Sequence, residues 1–179
     1  MVIGLKKAFM KYEIAGFIFV SVLGTLSHFI YEWSGCNTAV GLFCPVNESV
    51  WEHLKLIFFP YFIWSVIEMN IMKGEKGILP SKLIGVLTGM TFIVSFYYTY
   101  SGVIGKEIEF LSILSFFIGV AAAFLIDFLI IKSECLNSFF WLCVAVAGFL
   151  IISGIFIAFT VAPPLIPLFK DPKNLSYGI

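Results

Sequence analysis

Five long apolar stretches dominate the chain, and polar or charged residues separate them. The stretches lie at about residues 12–33, 50–70, 83–100, 110–131 and 139–161. An α-helix needs about 20 mostly apolar residues to cross the hydrocarbon core of a bilayer. The pattern therefore predicts an all-α, polytopic membrane helix bundle with about five transmembrane helices. We interpret residues 1–179 as a single integral membrane domain.

The composition agrees with this pattern and narrows the range of partners. Hydrophobic residues make up 60% of the sequence, whereas only 12% of the residues are charged. Such a balance is typical of an integral membrane protein, so the lipid bilayer is the expected partner. The net charge is zero and the sequence has no run of basic residues, so we expect no binding to nucleic acid.

The lysines predict the orientation of the helices. Seven lysines fall on the side of the predicted bundle that carries the N-terminus, and three fall on the other side. The first group is Lys6, Lys7, Lys11, Lys73, Lys76, Lys82 and Lys132, and the second is Lys106, Lys170 and Lys173. Because cytoplasmic loops carry an excess of lysine and arginine, the distribution predicts an N-in/C-out, multi-pass protein of the cell membrane.

A polar stripe marks one face of the first predicted helix. Ser21, Thr25, His28 and Glu32 are spaced by four, three and four residues, which places them on the same side of an α-helix. A polar stripe on an apolar helix faces the interior of a bundle rather than lipid. The stripe therefore predicts a polar site inside the bundle, near the outer end of this helix.

The start of the second predicted helix carries a matching set of ionisable groups. Glu52 and His53 lie just inside it, and a loop on the outer side connects the two helices, which makes them antiparallel. We therefore predict that His28, Glu32, Glu52 and His53 converge on one site. Ionisable side chains at membrane depth are costly and usually mark a functional site.

Imidazole and carboxylate ligands at one depth indicate a divalent metal such as zinc as the cofactor. The predicted metal ligands are His28, Glu32, His53 and Glu52. If the protein is an enzyme, Glu48 or Glu52 is the expected general base. Two alternatives remain: the same groups could relay protons, or the two histidines could be axial ligands of a haem.

Structural roles compete with each of these interpretations. Ser49-Val-Trp-Glu52 has the pattern of a capping box at the start of a helix, and Glu48 would complement the helix dipole. Lys55 is placed to pair with Glu52 three residues before it. Glu13, Glu68 and Asp127, near the inner helix ends, either pair with lysines or form the inner mouth of a pathway. A disulfide between Cys36 and Cys44 would form only in an oxidising compartment.

Two further segments are expected to cover the outer end of the bundle. The loop from Ser34 to Ser49 is too apolar for a solvated connection, and we expect it either to lie in the membrane interface or to fold back as a partial lid. After Pro164 the chain is no longer helical, yet it contains several apolar residues. We predict that it packs against the bundle and places Asp171 and Tyr177 over the polar site.

Several motifs together resemble one family. These motifs are His28-Phe-Ile-Tyr-Glu32-Trp-Ser-Gly35, Pro45-Val-Asn-Glu-Ser-Val-Trp-Glu-His-Leu-Lys55, Pro167-Leu-Phe-Lys-Asp171-Pro and Tyr177-Gly-Ile179. The sequence is similar to small bacterial multi-pass membrane proteins that are labelled only as a domain of unknown function. The resemblance implies the bacterial inner membrane but no activity. The tripeptide Lys173-Asn174-Leu175 departs from it, because a small, glycine-containing turn is expected there.

Three functions fit these observations. The first is a protein that binds a divalent cation or a small polar ligand through the outer cluster, for transport or sensing. The second is a metal-dependent membrane hydrolase that acts on a lipid-like substrate, by loose analogy with alkaline-ceramidase-type enzymes. The third is an accessory membrane subunit with a structural polar cluster. No His-Glu-x-x-His or Gly-x-Ser-x-Gly motif is present, so common metalloproteases and serine hydrolases are excluded.

Overall fold

The computed structural model describes residues 2–72 and 76–179, and this part of the chain is helical with no β-strand. It contains α1 (Val2–Trp33), α2 (Thr38–Gly41), α3 (Val50–His53), α4 (Lys55–Ile71), α5 (Ile78–Ile104), α6 (Glu109–Ser133), α7 (Phe139–Val161) and a short 3₁₀ helix (Pro167–Phe169). The predicted all-α fold is therefore confirmed.

Five segments are long and apolar enough to cross a membrane, as predicted from the hydrophobic pattern. They are Phe9–Trp33, Val50–Ile71, Ile78–Ile104, Glu109–Ser133 and Phe139–Val161. The second combines α3 and α4. The third begins five residues before the predicted start at residue 83, because Pro80 lies in the first turn of α5, where proline is compatible with a helix.

Small residues bring α5 and α6 into close contact. A Cβ atom added to Gly85 would lie 2.6 Å from the carbonyl oxygen of Ala123, and one added to Gly89 would lie 2.6 Å from that of Gly119. Side chains larger than hydrogen at Gly85 and Gly89 would therefore push the two helices apart. Close backbone packing of this kind is common between helices in membranes, where water drives no hydrophobic association.

The outer surface of the bundle is strongly apolar. On α7, Phe149 and Phe156 are fully buried in the core, whereas Leu150 and Ile151 are each 61% exposed. Exposed aliphatic side chains along a helix of this length fit contact with lipid.

Successive long helices alternate in direction. For example, α1 runs antiparallel to α4, because Gly16 lies against Trp64 and Gly24 lies against Leu56. We call the end of the bundle at which α1, α5 and α7 finish the histidine end, and the opposite end the Lys82 end. Lys73, which contributed to the predicted orientation, lies outside the described residues, as do the side chains of Lys6 and Lys7. The N-in/C-out orientation stays a prediction.

Candidate functional site

A cluster of two histidines and one glutamate forms at the histidine end. The imidazole rings of His28 on α1 and His53 on α3 stack with centroids 5.4 Å apart. The Oε2 atom of Glu48, in the loop before α3, is 3.4 Å from Nε2 of His53, and its Oε1 atom is 3.9 Å from Nε2 of His28. One ligand atom from each residue lies within 4.8 Å of the others, and among the described residues no other His, Cys, Asp or Glu trio does so.

Hydrogen bonding determines the tautomer of His53. Its Nδ1 atom is 2.9 Å from the carbonyl oxygen of Ser49. Because a carbonyl oxygen only accepts, Nδ1 carries a proton and donates it, and Nε2 is the ring nitrogen that faces Glu48. Metal-binding histidines commonly have this arrangement, with the second nitrogen donating to a backbone carbonyl. The buried Nδ1 of His28 has no hydrogen-bond partner among the described residues.

A cavity of about 310 Å³ opens beside the cluster. Its polar lining includes His28, Glu48 and His53 together with Glu107 and Glu109, which lie just before and at the start of α6. The rest of its lining is largely apolar and aromatic, and includes Leu56, Ile93, Ile113, Phe116 and Phe117. The cavity therefore joins a polar mouth to an apolar interior.

The structure does not bring Glu32 into the cluster. Ser21 is buried, His28 is half-buried and Thr25 is exposed where it lines the cavity, so only part of the predicted stripe faces the interior of the bundle. Glu32 is exposed one turn beyond His28, because the last turn of α1 extends past the residues that cover the cluster. Trp33, at the end of the same turn, is 70% exposed.

Glu52 is also separate from the two histidines, and it has its own partners. Its Oε2 atom accepts hydrogen bonds from Lys55 Nζ at 2.6 Å and from the backbone N–H of Val46 at 3.1 Å. Its Oε1 atom accepts from the hydroxyl of Thr160 at 3.2 Å. The predicted convergence is thus corrected: Lys55, three residues further along the chain, engages the Glu52 carboxylate, and Glu48 takes its place beside the histidines.

The loop that carries Glu48 folds back over the bundle, as the sequence indicates. The ring of Phe43 packs against that of Phe59 on α4, with centroids 5.3 Å apart. The side chain of Ser49 caps α3 by accepting a hydrogen bond from the backbone N–H of Glu52 at 3.3 Å. These contacts hold Glu48 at the mouth of the cavity.

The segment after α7 packs against the same loop. Phe169 is buried, and its ring lies 4.8 Å from that of Trp51. Asp171 is 3% exposed, and its Oδ2 atom accepts a hydrogen bond from the backbone N–H of Glu48 at 3.3 Å. The Nζ atom of Lys173 lies 3.1 Å from Oε1 of Glu48. This hydrogen bond raises the pKa of the Lys173 ammonium above its ordinary value.

Tyr177 takes part in this segment through its backbone, which forms an isolated antiparallel bridge with Lys170. Its side chain is half-buried. Two residues before it, Leu175 has a φ of 62°, a left-handed conformation that favours glycine. The chain therefore makes here the kind of turn that the resemblance leads us to expect, but with a leucine at the position suited to glycine.

Residues 1–179 match the family described as "Family of unknown function (DUF6512)". The chain belongs to this family. The match confirms the family of unknown function that the sequence motifs indicate. No curated protein and no solved structure matches the DUF6512 chain.

The cysteines of the DUF6512 chain are free thiols. Cys36 is exposed, whereas Cys44 is buried next to Lys55, whose Nζ lies 3.4 Å from the Cys44 carbonyl oxygen. Burial raises the pKa of the Cys44 thiol, and the nearby ammonium lowers it in part. The structure therefore contains no bond between Cys36 and Cys44.

A second polar cluster of the DUF6512 chain lies at the Lys82 end. Its members are Glu13, Glu68, Lys82 and Asp127. From the sequence, the three acids are expected near the inner helix ends, where they either pair with lysines or form the mouth of a pathway, and Lys82 just before the third helix. The structure shows the pairing, with Lys82 as the common partner. The positions of these residues along their helices could have indicated the cluster. All four lie within about two helical turns of the end of a membrane-length helix, and these ends are on the same side of the bundle.

Proposed function

We propose that this DUF6512 protein is a multi-pass protein of the cell membrane that binds a divalent cation, such as zinc, between His28, Glu48 and His53. The observation that supports this proposal is the convergence of three ligand atoms within 4.8 Å of one another. Imidazole nitrogen and carboxylate oxygen are ligands that zinc accepts. A cation site at one end of the bundle is accessible from one side of the membrane, as transport or sensing of the cation would require.

The interatomic distances are compatible with such a site. Neighbouring ligand atoms in a tetrahedral zinc site lie about 3.4 Å apart, given bonds of about 2.0–2.2 Å. The two Glu48 contacts to the histidines measure 3.4 and 3.9 Å, so a small movement of side chains is sufficient. A bound cation would replace Lys173 as the positive partner of Glu48, and the Lys173 side chain is 70% exposed and free to withdraw.

The cavity favours a second candidate function, a metal-dependent hydrolase with a lipid-like substrate. Two histidines and one glutamate leave a fourth zinc position open, and a water bound there is activated for attack. The polar mouth would accept the headgroup of the substrate, and the apolar lining would accept part of an acyl chain. In this reading Glu48 is a metal ligand, and Glu107 or Glu109 is placed at the cavity to act as general base. Glu52 does not serve as the base, since it is buried against Lys55.

Replacing Glu48 with glutamine should weaken zinc binding by more than about 100-fold, since even an outer-shell partner of a metal ligand contributes about 10–100-fold. The measurement is zinc titration of the purified protein in detergent, monitored by calorimetry and by metal analysis. The matched control is Glu32→Gln, which removes a nearby exposed carboxylate on α1 outside the cluster. This control should bind zinc with unchanged stoichiometry.

Equal zinc binding by the wild type and the Glu48→Gln variant would refute the metal site. The same preparations distinguish the two candidate functions when they are incubated with a lipid amide or ester. Zinc-dependent release of fatty acid that is lost in Glu48→Gln would establish hydrolysis. Zinc binding without release would favour transport or sensing.

We also propose that the histidine end faces the outside of the cell. A reporter fused after Ile179 should then be active as a periplasmic or extracellular enzyme and dark as a cytoplasmic fluorophore, because the lysine distribution favours an inner N-terminus. A reporter fused in the α4–α5 connection, on the opposite side, provides the control and should give the reverse pattern. If the two fusions exchange these signals, the orientation is wrong.

A further inference from the structure

Four charged side chains meet deep inside the Lys82 end, and each comes from a different long helix. Lys82, Glu68 and Asp127 are fully buried, and Glu13 is only 6% exposed. The Nζ atom of Lys82 is 2.7 Å from Oε1 of Glu13 and 2.9 Å from Oε2 of Glu68, and it also pairs with Oδ2 of Asp127. One cation therefore serves three carboxyl groups.

The surroundings of Lys82 keep its amine charged. An ammonium has three N–H donors and no acceptor, and Nζ of Lys82 donates to Glu13 and forms ion pairs with Glu68 and Asp127. The Nζ atom also lies 4.7 Å from the ring centroid of Phe124 and 5.6 Å from that of Tyr61. Aromatic faces attract a cation electrostatically. The excess charge of the cluster must therefore be balanced on the carboxyl groups.

In each carboxyl group the hydrogen bonds reach one oxygen only. Besides the lysine, Trp64 Nε1 donates to Oε2 of Glu68 at 2.9 Å, and the Tyr61 hydroxyl donates to Oδ2 of Asp127 at 3.4 Å. Glu13 Oε2, Glu68 Oε1 and Asp127 Oδ1 are buried and have no partner among the described residues. A carboxylate that is buried with a free oxygen is unfavourable, whereas a proton on that oxygen removes the charge.

The charge balance requires two further positive charges. Three ionised carboxylates and one ammonium carry a net charge of −2 in a site shielded from water. A metal ion is disfavoured, because the lysine already occupies the position between the acids. Of the described residues, moreover, only His28, Glu48 and His53 bring three metal-ligand atoms within 4.8 Å of one another. Protons on two free oxygens neutralise the cluster and leave the other oxygen of each acid able to accept from Lys82.

We propose that Glu13, Glu68, Asp127 and Lys82 form a proton-binding site that holds two protons at neutral pH, one on Glu13 and one on Glu68. Asp127 remains ionised because its oxygen lies closer to Nζ of Lys82 than the oxygen of Glu68 does, whereas each of these two acids accepts one further hydrogen bond, from Tyr61 and from Trp64 respectively. Glu13 accepts no hydrogen bond other than the one from Lys82, so the ionised form of Glu13 is stabilised least among the three acids.

This site is separate from the histidine cluster. Glu13 and His28 both lie on α1, and their Cα atoms are about 22 Å apart along the helix axis at about 1.5 Å per residue. The proposal therefore does not depend on metal binding at the histidine end.

Infrared spectroscopy tests the proposal directly, because a protonated carboxyl group has a stretching band that a carboxylate lacks. The wild-type protein in detergent at neutral pH should show this band, shifted in heavy water by exchange of the proton. Glu13→Gln and Glu68→Gln should each remove about half of its intensity, whereas Asp127→Asn should leave most of it. The control is Glu134→Gln, which changes an exposed carboxylate and should leave the band intact.

A thermal measurement gives an independent result. Glutamine has the shape of a protonated glutamate, so Glu13→Gln should keep the melting temperature of the wild type at neutral pH. The folded protein holds more protons than the unfolded chain, so its stability should fall as the pH rises, and this fall should be smaller in Glu13→Gln.

Absence of the infrared band in the wild type would overturn the proposal. A Glu13→Gln variant that melts far below the wild type or fails to fold would overturn the assignment of a proton to Glu13, since a neutral isostere would then be unacceptable.

Discussion

Replacing Lys82 with methionine should destabilise the protein by about 3–5 kcal/mol, the usual cost of removing one member of a buried ion pair. The ammonium is fully buried and contacts three acids, so its loss leaves Asp127 ionised without a cation and leaves Glu13 and Glu68 without their main donor. The measurement is thermal or denaturant-induced unfolding of the purified protein in detergent.

Two further variants test whether the loss of stability comes from the buried charge cluster around Lys82. Lys106→Met removes a lysine that is exposed in the α5–α6 connection and should change stability by less than about 0.5 kcal/mol. The double variant Lys82→Met, Asp127→Asn should recover part of the loss, because it removes the remaining uncompensated charge. Equal stability of Lys82→Met and Lys106→Met would show that the buried cluster does not support the fold.

The second large effect concerns Glu52, whose replacement by alanine should also cost about 3–5 kcal/mol. Alanine would leave the fully buried Lys55 ammonium with backbone carbonyls as its partners, and the backbone N–H of Val46 would lose its acceptor. Thermal unfolding in detergent again provides the measurement.

Glu32→Ala is the matched control for Glu52→Ala, because both carboxylates belong to the site predicted from the sequence. Replacing the exposed Glu32 with alanine should change the free energy of unfolding by less than about 0.5 kcal/mol. If Glu52→Ala were as stable as this control while losing zinc binding, Glu52 would be a metal ligand rather than a structural anchor.

The hydrophobic pattern was sufficient to predict the five long helices and the contact between His28 and His53. Apolar runs of membrane length determine where helices form, and a short connection between two of them makes them antiparallel. Residues at equal distances from that connection therefore meet at one level. These arguments need only helix rise and periodicity, which vary little between proteins.

The choice of carboxylate beside the histidines could not be made from the sequence. Glu48, Glu52 and Glu32 are chemically equivalent and lie at similar depth. What separates them is the path of the loop before α3 and the competition of Lys55 for Glu52, and both depend on tertiary packing. The hydrogen bond from the Glu48 backbone to Asp171 joins residues 123 positions apart, so no local pattern contains it.

The burial of Lys82 could not be predicted from the sequence for a different physical reason. The third apolar stretch predicted from the sequence starts at about residue 83, one residue after Lys82. Proline in the first helical turn costs no hydrogen bond, and α5 begins at Ile78. The lysine therefore lies inside the helix, where three acids on other helices compensate its burial.

The Lys82 cluster also constrains how the protein is made. Glu13 and Glu68 precede Lys82 in the chain, and Asp127 follows it, so a ribosome delivers two acids before their cation and the third acid after it. Helices α1 and α4 therefore reach the bilayer while an ionised carboxylate at their final depth would be uncompensated. We expect them to remain beside the insertion machinery until α5 and α6 have emerged. Membrane integration of this chain would then proceed by the joint entry of several helices rather than one helix at a time.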